Sequence, residues 1–374
     1  MNKRKIIVSL IMAVLLTSCK TNYVIMHDGR TGFDAMYFPI DVKHTSHLSH
    51  IVSKKYVAIP LETHKDIILG KIKKLQFVNS KIFLICEGRN DILIFDDKGF
   101  FILKIGNTQL HKDLVDFDIY NGQIFVLLRE VPQIMIYSLN GKLQGNITLK
   151  NKYQHICVID ENNLLLDSDF SNDIKKNIIL YDYKEQVVVN SYLSFERNED
   201  LTLNASTFHR IAGKKVLITQ QYKYFVYQYE SEKIGMKYLF SFNTLDQFPK
   251  NIDEIPFFTL YTKTLQQKSL VRQIDNLTQE GSKLYMTFRI DGYSYFTKVN
   301  LRTGKVHTSL LQYTRRYPFA FMPPIIFDNN KSISVIGADY ILSQLKKTFP
   351  SDKHNDGLLE KGDNPVIFIR ELKL

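Results

Sequence analysis

From Leu75 onwards, short apolar runs alternate with polar breaks, and the alternation itself repeats. Leu75-Gln-Phe-Val-Asn79 returns as Phe117-Asp-Ile-Tyr-Asn121, and Ile82-Phe-Leu-Ile85 returns as Ile124-Phe-Val-Leu127. Ile92-Leu-Ile-Phe-Asp-Asp-Lys-Gly99 returns as Ile134-Met-Ile-Tyr-Ser-Leu-Asn-Gly141, each match lying 42 residues further on. Ile82–Ile85, Ile92–Phe95 and Phe100–Ile105 are strand-sized, too short for helices and too close together for crossover connections. Asp97-Lys98-Gly99 and Leu139-Asn140-Gly141 end in Gly after a polar residue, as hairpin turns that need φ > 0 do. One repeat is therefore a small antiparallel sheet that cannot bury both of its faces alone. A period of about 40–50 residues holding several such strands predicts an all-β fold, a β-propeller, in which radial stacking covers the faces.

The rhythm continues with weaker matches. Repeats one and two span 71–106 and 113–149. Repeat three takes 156–167, 177–182 and 187–193, repeat four takes 208–219, 223–229 and 236–242, and repeat five takes 271–288, 293–300 and 305–311. A sixth begins near Phe319 and includes 325–327 and 332–336, so six blades are expected, with seven as the alternative. Two insertions interrupt the series. Residues 243–269 carry Phe248, Pro249, Pro256, Phe257, Phe258 and Tyr261, expected to pack over the ring edge or to cap a pocket. In the second, Ile341, Leu342, Leu345 and Phe349 stand at helical spacing with Pro350 behind, predicting a short helix over 339–349 packed on the last blade. Residues 365–372 read as a final strand, expected to pair with 56–61 in one blade, closing the ring and removing open edges.

The first residues follow a different pattern. Lys3-Arg4-Lys5 precedes the apolar stretch Ile6–Leu16, which is shorter than the roughly 20 residues of a membrane-spanning helix, and Leu16-Thr17-Ser18-Cys19 follows. The expected organisation is a signal peptide over 1–18, a lipid-anchored tether over 19–55, and a propeller over 56–374. The tether assignment rests on the lack of periodicity in 20–55; His44, His47 and His50 within it are read as polar linker rather than a metal site. Loss of Lys3, Arg4 and Lys5 lowers the formal net charge from +11 to +8. The lysines are scattered without a block of five, so a solvated basic surface is expected and no nucleic-acid partner. Apart from Cys19, only Cys86 and Cys157 remain, in repeats one and three, and are expected to be buried free thiols.

Leu16-Thr17-Ser18-Cys19 resembles the lipobox of bacterial lipoproteins, which implies cleavage before Cys19 and its lipidation. Val57-Ala-Ile-Pro-Leu-Glu-Thr63, the pattern of repeats one and two, and Asn364-Pro365 before the last strand resemble the six-bladed β-propeller lipoproteins of Bacteroidota, which are related to NHL-repeat propellers. The resemblance runs from about residue 56 to the C-terminus. It implies a six-bladed ring, export and a lipid anchor, and it implies no established activity. Members of that family often carry a Gly-Pro-Gly-Glu-type turn after the first blade; here residues 106–113 keep one Gly and lose the rest. Lys20-Thr-Asn-Tyr23 lacks the acidic run resembling surface-export signals, which points to the periplasmic face of the outer membrane.

No catalytic sequence motif is present: no Gly-x-Ser-x-Gly, no His-Glu-x-x-His, no phosphate-binding Gly loop and no dinucleotide fingerprint. The starts of the innermost strands, gathered at one channel mouth, give Lys73 and its neighbour Lys74, Asp116, His155, His209 and Arg272 as candidate ligand-binding residues. The expected function is a non-catalytic binding or scaffolding propeller that presents one ring face to a glycan, peptide or protein, with no cofactor. The alternative is a metal-dependent lyase or lactonase-like enzyme with zinc or calcium at the channel mouth, held by two of these histidines and an acid; a purely structural envelope lipoprotein is a third reading.

Overall fold

Phe83 and Ile85 pack against the sheet that follows in sequence, while Ile82 and Leu84 of the same strand pack against the sheet on the other side. Strands buried on both faces read as unbroken apolar runs, and each such sheet needs a neighbour on either side. Six sheets arranged radially meet that demand. The computed structural model describes residues 24–28, 33–64, 67–106, 114–168, 174–194, 208–211, 213–220, 223–244, 269–311, 326–328, 330–348, 359–360 and 362–373.

An N-terminal hairpin of β1 (Val24–Asp28) and β2 (Phe33–Ile40) is followed by β3 (Val57–Pro60). Blade one is β4 (Ile72–Val78), β5 (Lys81–Cys86), β6 (Ile92–Asp96) and β7 (Phe101–Ile105). Blade two is β8 (Leu114–Tyr120), β9 (Gln123–Leu128), β10 (Gln133–Ser138) and β11 (Leu143–Thr148). Blade three is β12 (His155–Val158), β13 (Asn163–Asp167), β14 (Lys176–Asp182) and β15 (Val187–Ser194). Blade four contains β16 (Phe208–Arg210), β17 (Val216–Thr219), β18 (Phe225–Glu230) and β19 (Lys233–Phe242). Blade five is β20 (Ile274–Glu280), β21 (Lys283–Ile290), β22 (Tyr293–Asn300) and β23 (Val306–Leu310). Blade six contains β24 (Ile326–Asp328), β25 (Lys331–Ile336) and, after helix α1 (Ala338–Thr348), β26 (Val366–Glu371).

The protein is a six-bladed β-propeller. The inner strands β4, β8, β12, β16, β20 and β24 touch in that order, and β24 returns to β4. Closure is by β3, which pairs antiparallel with β26 in the register Val57↔Ile369 to Pro60↔Val366 and completes blade six, as expected from the sequence. Asn364 locks this junction. Its Oδ1 accepts from the Leu69 N–H at 2.9 Å, and its Nδ2 donates to the Glu62 and Ile67 carbonyls at 2.7 Å each. Helix α1 occupies the predicted position in blade six, with Ile341 buried against Ile336 and Phe368.

Residues 33–52 are not a tether. β2 adds parallel to the outer edge of blade four, in the register Met36↔Tyr238 to Ile40↔Phe242, and β1 pairs antiparallel with β2, giving a six-stranded sheet. Phe38 is fully buried and lies 6.1 Å from Phe240, ring to ring. Leu48, Ile51 and Val52 then enter the space between blades five and six, against Tyr285, Phe296 and Leu372. The buried positions Ala35, Phe38 and Ile40 do not keep a strict period of two, so β2 carries no clear strand pattern in the sequence. The three histidines of this stretch diverge. His44 bonds to Asp41 at 2.8 Å, His47 bonds to the Ser49 hydroxyl at 2.8 Å, and His50 stacks on His307 with ring centroids 4.9 Å apart.

Cys86 and Cys157 are free and buried, as expected. Residues 1–23 with Cys19, most of the 106–113 turn, the 245–268 part of the first insertion, Phe319, Phe349 and Pro350 lie outside the described residues.

Candidate functional site

A channel of about 1690 Å³ runs along the propeller axis. Every blade opens with its inner strand, so the strand starts share one rim, here the upper mouth. Lys73, Lys74, Asp116, His155 and His209 all line the channel. Arg272 does not; it is half-buried just before β20, and its neighbours Gln273 and Asp275 line the wall instead.

An inner strand has no partner on its axial edge, so its N–H groups there must find other acceptors. Asp116 and Asp118, two apart on β8, supply them. Asp116 Oδ1 accepts from its own neighbour Phe117 N–H at 2.8 Å and from Lys74 Nζ at 2.7 Å. Asp116 Oδ2 accepts from the Ile156 N–H of blade three at 2.9 Å, with His155 Nδ1 at 3.7 Å. Asp118 repeats the arrangement one step along the axis. Its Oδ1 accepts from Ile119 N–H at 3.0 Å and Gln76 Nε2 at 2.9 Å, and its Oδ2 from Val158 N–H at 2.7 Å and Arg210 Nη2 at 2.5 Å. Two carboxylates thus fasten four blades around the axis.

A carboxylate offers about four lone-pair positions; Asp118 has four hydrogen bonds, and Asp116 has three with the His155 ring nitrogen at 3.7 Å beside them. Burial raises the Asp116 pKa, but Lys74 and His155 outweigh it and hold the carboxyl below its ordinary value. The Asp118 carboxylate beside it drives the Arg210 guanidinium pKa upward. Asp116 is therefore held as an anion, with both of its oxygens engaged by donors from blades one, two and three. His209 Nε2 lies 3.1 Å from the Thr219 hydroxyl. Among the described residues, no group of three His, Cys, Asp or Glu side chains converges as a metal site needs.

Blade five contributes an acid of a different kind. Asp275 sits at a β-bulge in β20, and the Arg289 Nε of β21 lies 3.3 Å from its Oδ2. Burial raises its pKa, with Arg289 pulling the other way. On blade two, Arg129 lines the upper mouth; with the Gln154 amide oxygen turned towards it, the guanidinium donates at 2.8 and 3.0 Å.

The wall thus uses Gln76, Asp118, Arg129, Arg210, Asp275 and Arg289, none of them anticipated from strand starts. The repeat period could have found two of them. Lys74 and Gln76 stand 42 residues before Asp116 and Asp118 and bond to them directly. Nothing in the sequence marks Arg210, because its partner Asp118 belongs to another blade.

A sequence profile described as a domain of unknown function (DUF4934) matches residues 38–371. The fold is similar to the crystal structure of an exported protein of Bacteroides fragilis NCTC 9343, with a TM-score of 0.73 at 12% identity, covering 90% of this chain and 99% of that one. It is also similar to a member of the DUF4221 family from Bacteroides vulgatus ATCC 8482, with a TM-score of 0.54 at 9% identity, covering 86% of this chain and 97% of that one. Comparison with curated proteins gives no match. Among the described residues, no helix is long and apolar enough to cross a membrane.

Proposed function

The chain belongs to the DUF4934 family, and from that premise we propose that it is an exported, lipid-anchored propeller that binds a ligand in its axial channel without transforming it. One observation carries the reading: the wall of a channel of about 1690 Å³ presents, among apolar residues, polar side chains that are already held in place, with both oxygens of Asp116 and of Asp118 hydrogen-bonded. Such a wall is pre-organised, which limits the ordering cost of binding. It offers oriented donors and acceptors around an axis, and the acid expected to act in metal or proton chemistry is spent on the scaffold.

Export and anchoring rest on the lipobox-like Leu16–Cys19 and on the name of the Bacteroides fragilis neighbour. They also imply an orientation. Val24 begins β1, the outermost strand of the blade-four sheet, only five residues after Cys19. Five residues reach roughly 18 Å at full extension. A lipid on Cys19 would hold the propeller side-on, blade four towards the membrane, with the channel axis free to both sides. The periplasmic face of the outer membrane remains the proposed address.

The test has two arms. Metabolic labelling with an alkyne fatty acid should mark the full chain and not its Cys19→Ser variant; equal labelling of both removes the anchor. Thermal-shift screening of the purified full chain against peptides and oligosaccharides should give ligands whose shift disappears in Lys73→Gln or His155→Gln. Ligands that bind both variants unchanged would move the site away from the channel, and turnover of a bound compound would restore the enzyme reading.

A further inference from the structure

Residues 41–53 leave β2 on blade four and run as a strap along blade five to its seam with blade six. Hydrogen bonds tie the strap down at both ends. Asn243, just past β19, accepts from Val42 N–H at 2.8 Å and donates to Asp41 Oδ1 at 2.7 Å. Ser46 N–H donates to the Thr308 carbonyl of β23 at 2.6 Å, and the Ser309 hydroxyl donates to the Ser46 carbonyl at 2.6 Å. Further on, Lys373 N–H donates to the Ile51 carbonyl at 2.8 Å and Ser53 N–H to the Glu371 carbonyl at 2.9 Å. Between these ties lies one 3₁₀ turn, Leu48–His50, whose Leu48 is buried in the seam with Ile51 and Val52.

His50 closes that turn and lays its ring flat on His307 of β23, with centroids 4.9 Å apart and an interplanar angle of 3°. Such a stack tolerates one proton, whereas two imidazolium ions repel each other. The surrounding charges sharpen that limit. Lys298 of β22 stands directly opposite His307 in the strand register, on the same face of blade five, and donates to the Lys373 carbonyl. Lys305 lies just before β23, and Lys283 and Lys373 add like charge around Lys298. His47 on the strap is bonded to the Ser49 hydroxyl at 2.8 Å, and Glu371 meets the strap through its backbone carbonyl. Burial, then Lys305, His50 and Lys298, push the His307 pKa below its ordinary value. A folded value lowered in this way gives docking a contribution that is complete above the ordinary imidazole value of about 6.5 and is lost as pH falls through the lower one.

We propose that residues 46–53 are an acid-released strap, docked while one of the two stacked imidazoles is neutral and lifted from the seam between blades five and six when both carry a proton. The joint is the His50–His307 stack, because the ties on either side of it are backbone and hydroxyl bonds that do not titrate near neutral pH. Release uncovers Leu48, Ile51 and Val52 and, facing them, Tyr285, Phe296 and Leu372. It acts next to β3, the strand that closes the ring, and it does not depend on what the channel binds.

Hydrogen exchange of the full chain at pH 7.5 and pH 5.5, corrected for the intrinsic pH dependence of exchange and read by mass spectrometry, tests it. Protection of the amides of 46–53 should fall roughly tenfold at the lower pH, the bias that one unit of pKa shift carries, while 82–85 and 124–127 in blades one and two keep theirs. His50→Phe retains a flat ring over His307 without a titratable nitrogen, and its strap should stay protected at both pH values. His307→Gln should flatten the pH dependence as well. Equal strap protection of the wild type at both pH values overturns the proposal. So does a loss of the same size in His50→Phe, or a loss shared by blades one and two, which would make the effect global.

Discussion

Lys74 and Asp116 occupy the same place in consecutive blades, each just after a bulge in its inner strand, and the Nζ of the first donates to Oδ1 of the second at 2.7 Å. Two residues further along, Gln76 and Asp118 make the same step at 2.9 Å. A repeating chain normally places like residues at like positions. Here the repeat has diverged into donor and acceptor, and the divergence binds blade to blade.

This pairing sets the acid stability of the ring. The Asp116 pKa is lowered in the folded state, so its contribution is complete above the unfolded carboxylate pKa of about 4 and is lost as pH falls through the lower folded value. Asp116→Ala should cost about 3–5 kcal/mol at pH 7, because it leaves the Lys74 charge and the Ile156 N–H without their acceptor. Urea unfolding at pH 7 and below pH 4 measures both effects. The gap between wild type and variant should narrow on the acid side, and a gap that is constant with pH would contradict the assignment.

The repeated turn glycines are expected to differ. Gly99 has φ +93°, and a Cβ there would stand 2.0 Å from the carbonyl oxygen of Pro60 on the closing strand. At Gly141, with φ +79°, the nearest obstacle is the flexible Leu103 side chain at 3.2 Å. Gly141→Ala should cost about 1 kcal/mol from backbone strain, and Gly99→Ala about 2 kcal/mol or more, because closure of the ring must shift as well. Thermal melts of the two variants give the ordering directly.

The N-terminal strand should behave as core. Phe38→Ala removes a fully buried ring packed on Tyr238 and Phe240 and should destabilise by about 3–5 kcal/mol. Were residues 19–55 only a tether, the chemical-denaturation midpoint would not move.

The two thiols should be silent in the native protein. Burial pushes both Cys86 and Cys157 up to about 12, far from the thiolate range. Titration with a disulfide reagent at pH 8 should label neither until denaturant is added; rapid labelling of one would mean that its blade interface opens.

The sequence by itself determined the ring. Apolar runs such as Ile82–Ile85 and Ile124–Leu127 recur at a fixed period, and Gly99 and Gly141 mark the same turn in two copies, so local strand formation and the need to cover both faces lead to stacked blades. Closure by 57–60 on 366–369 and the helix before the last strand follow from local periodicity, whereas six blades rather than seven is read from the strand contacts. Only the tertiary structure decided what that local pattern does not encode. Phe38 is a core residue because β2 pairs with β19, some 200 positions away. Asp116 is an anchor between blades because Lys74, Ile156 and His155 approach it from two other blades. Whether a polar side chain in a channel is spent or available depends on what reaches it across the ring, and strand periodicity carries no record of those partners.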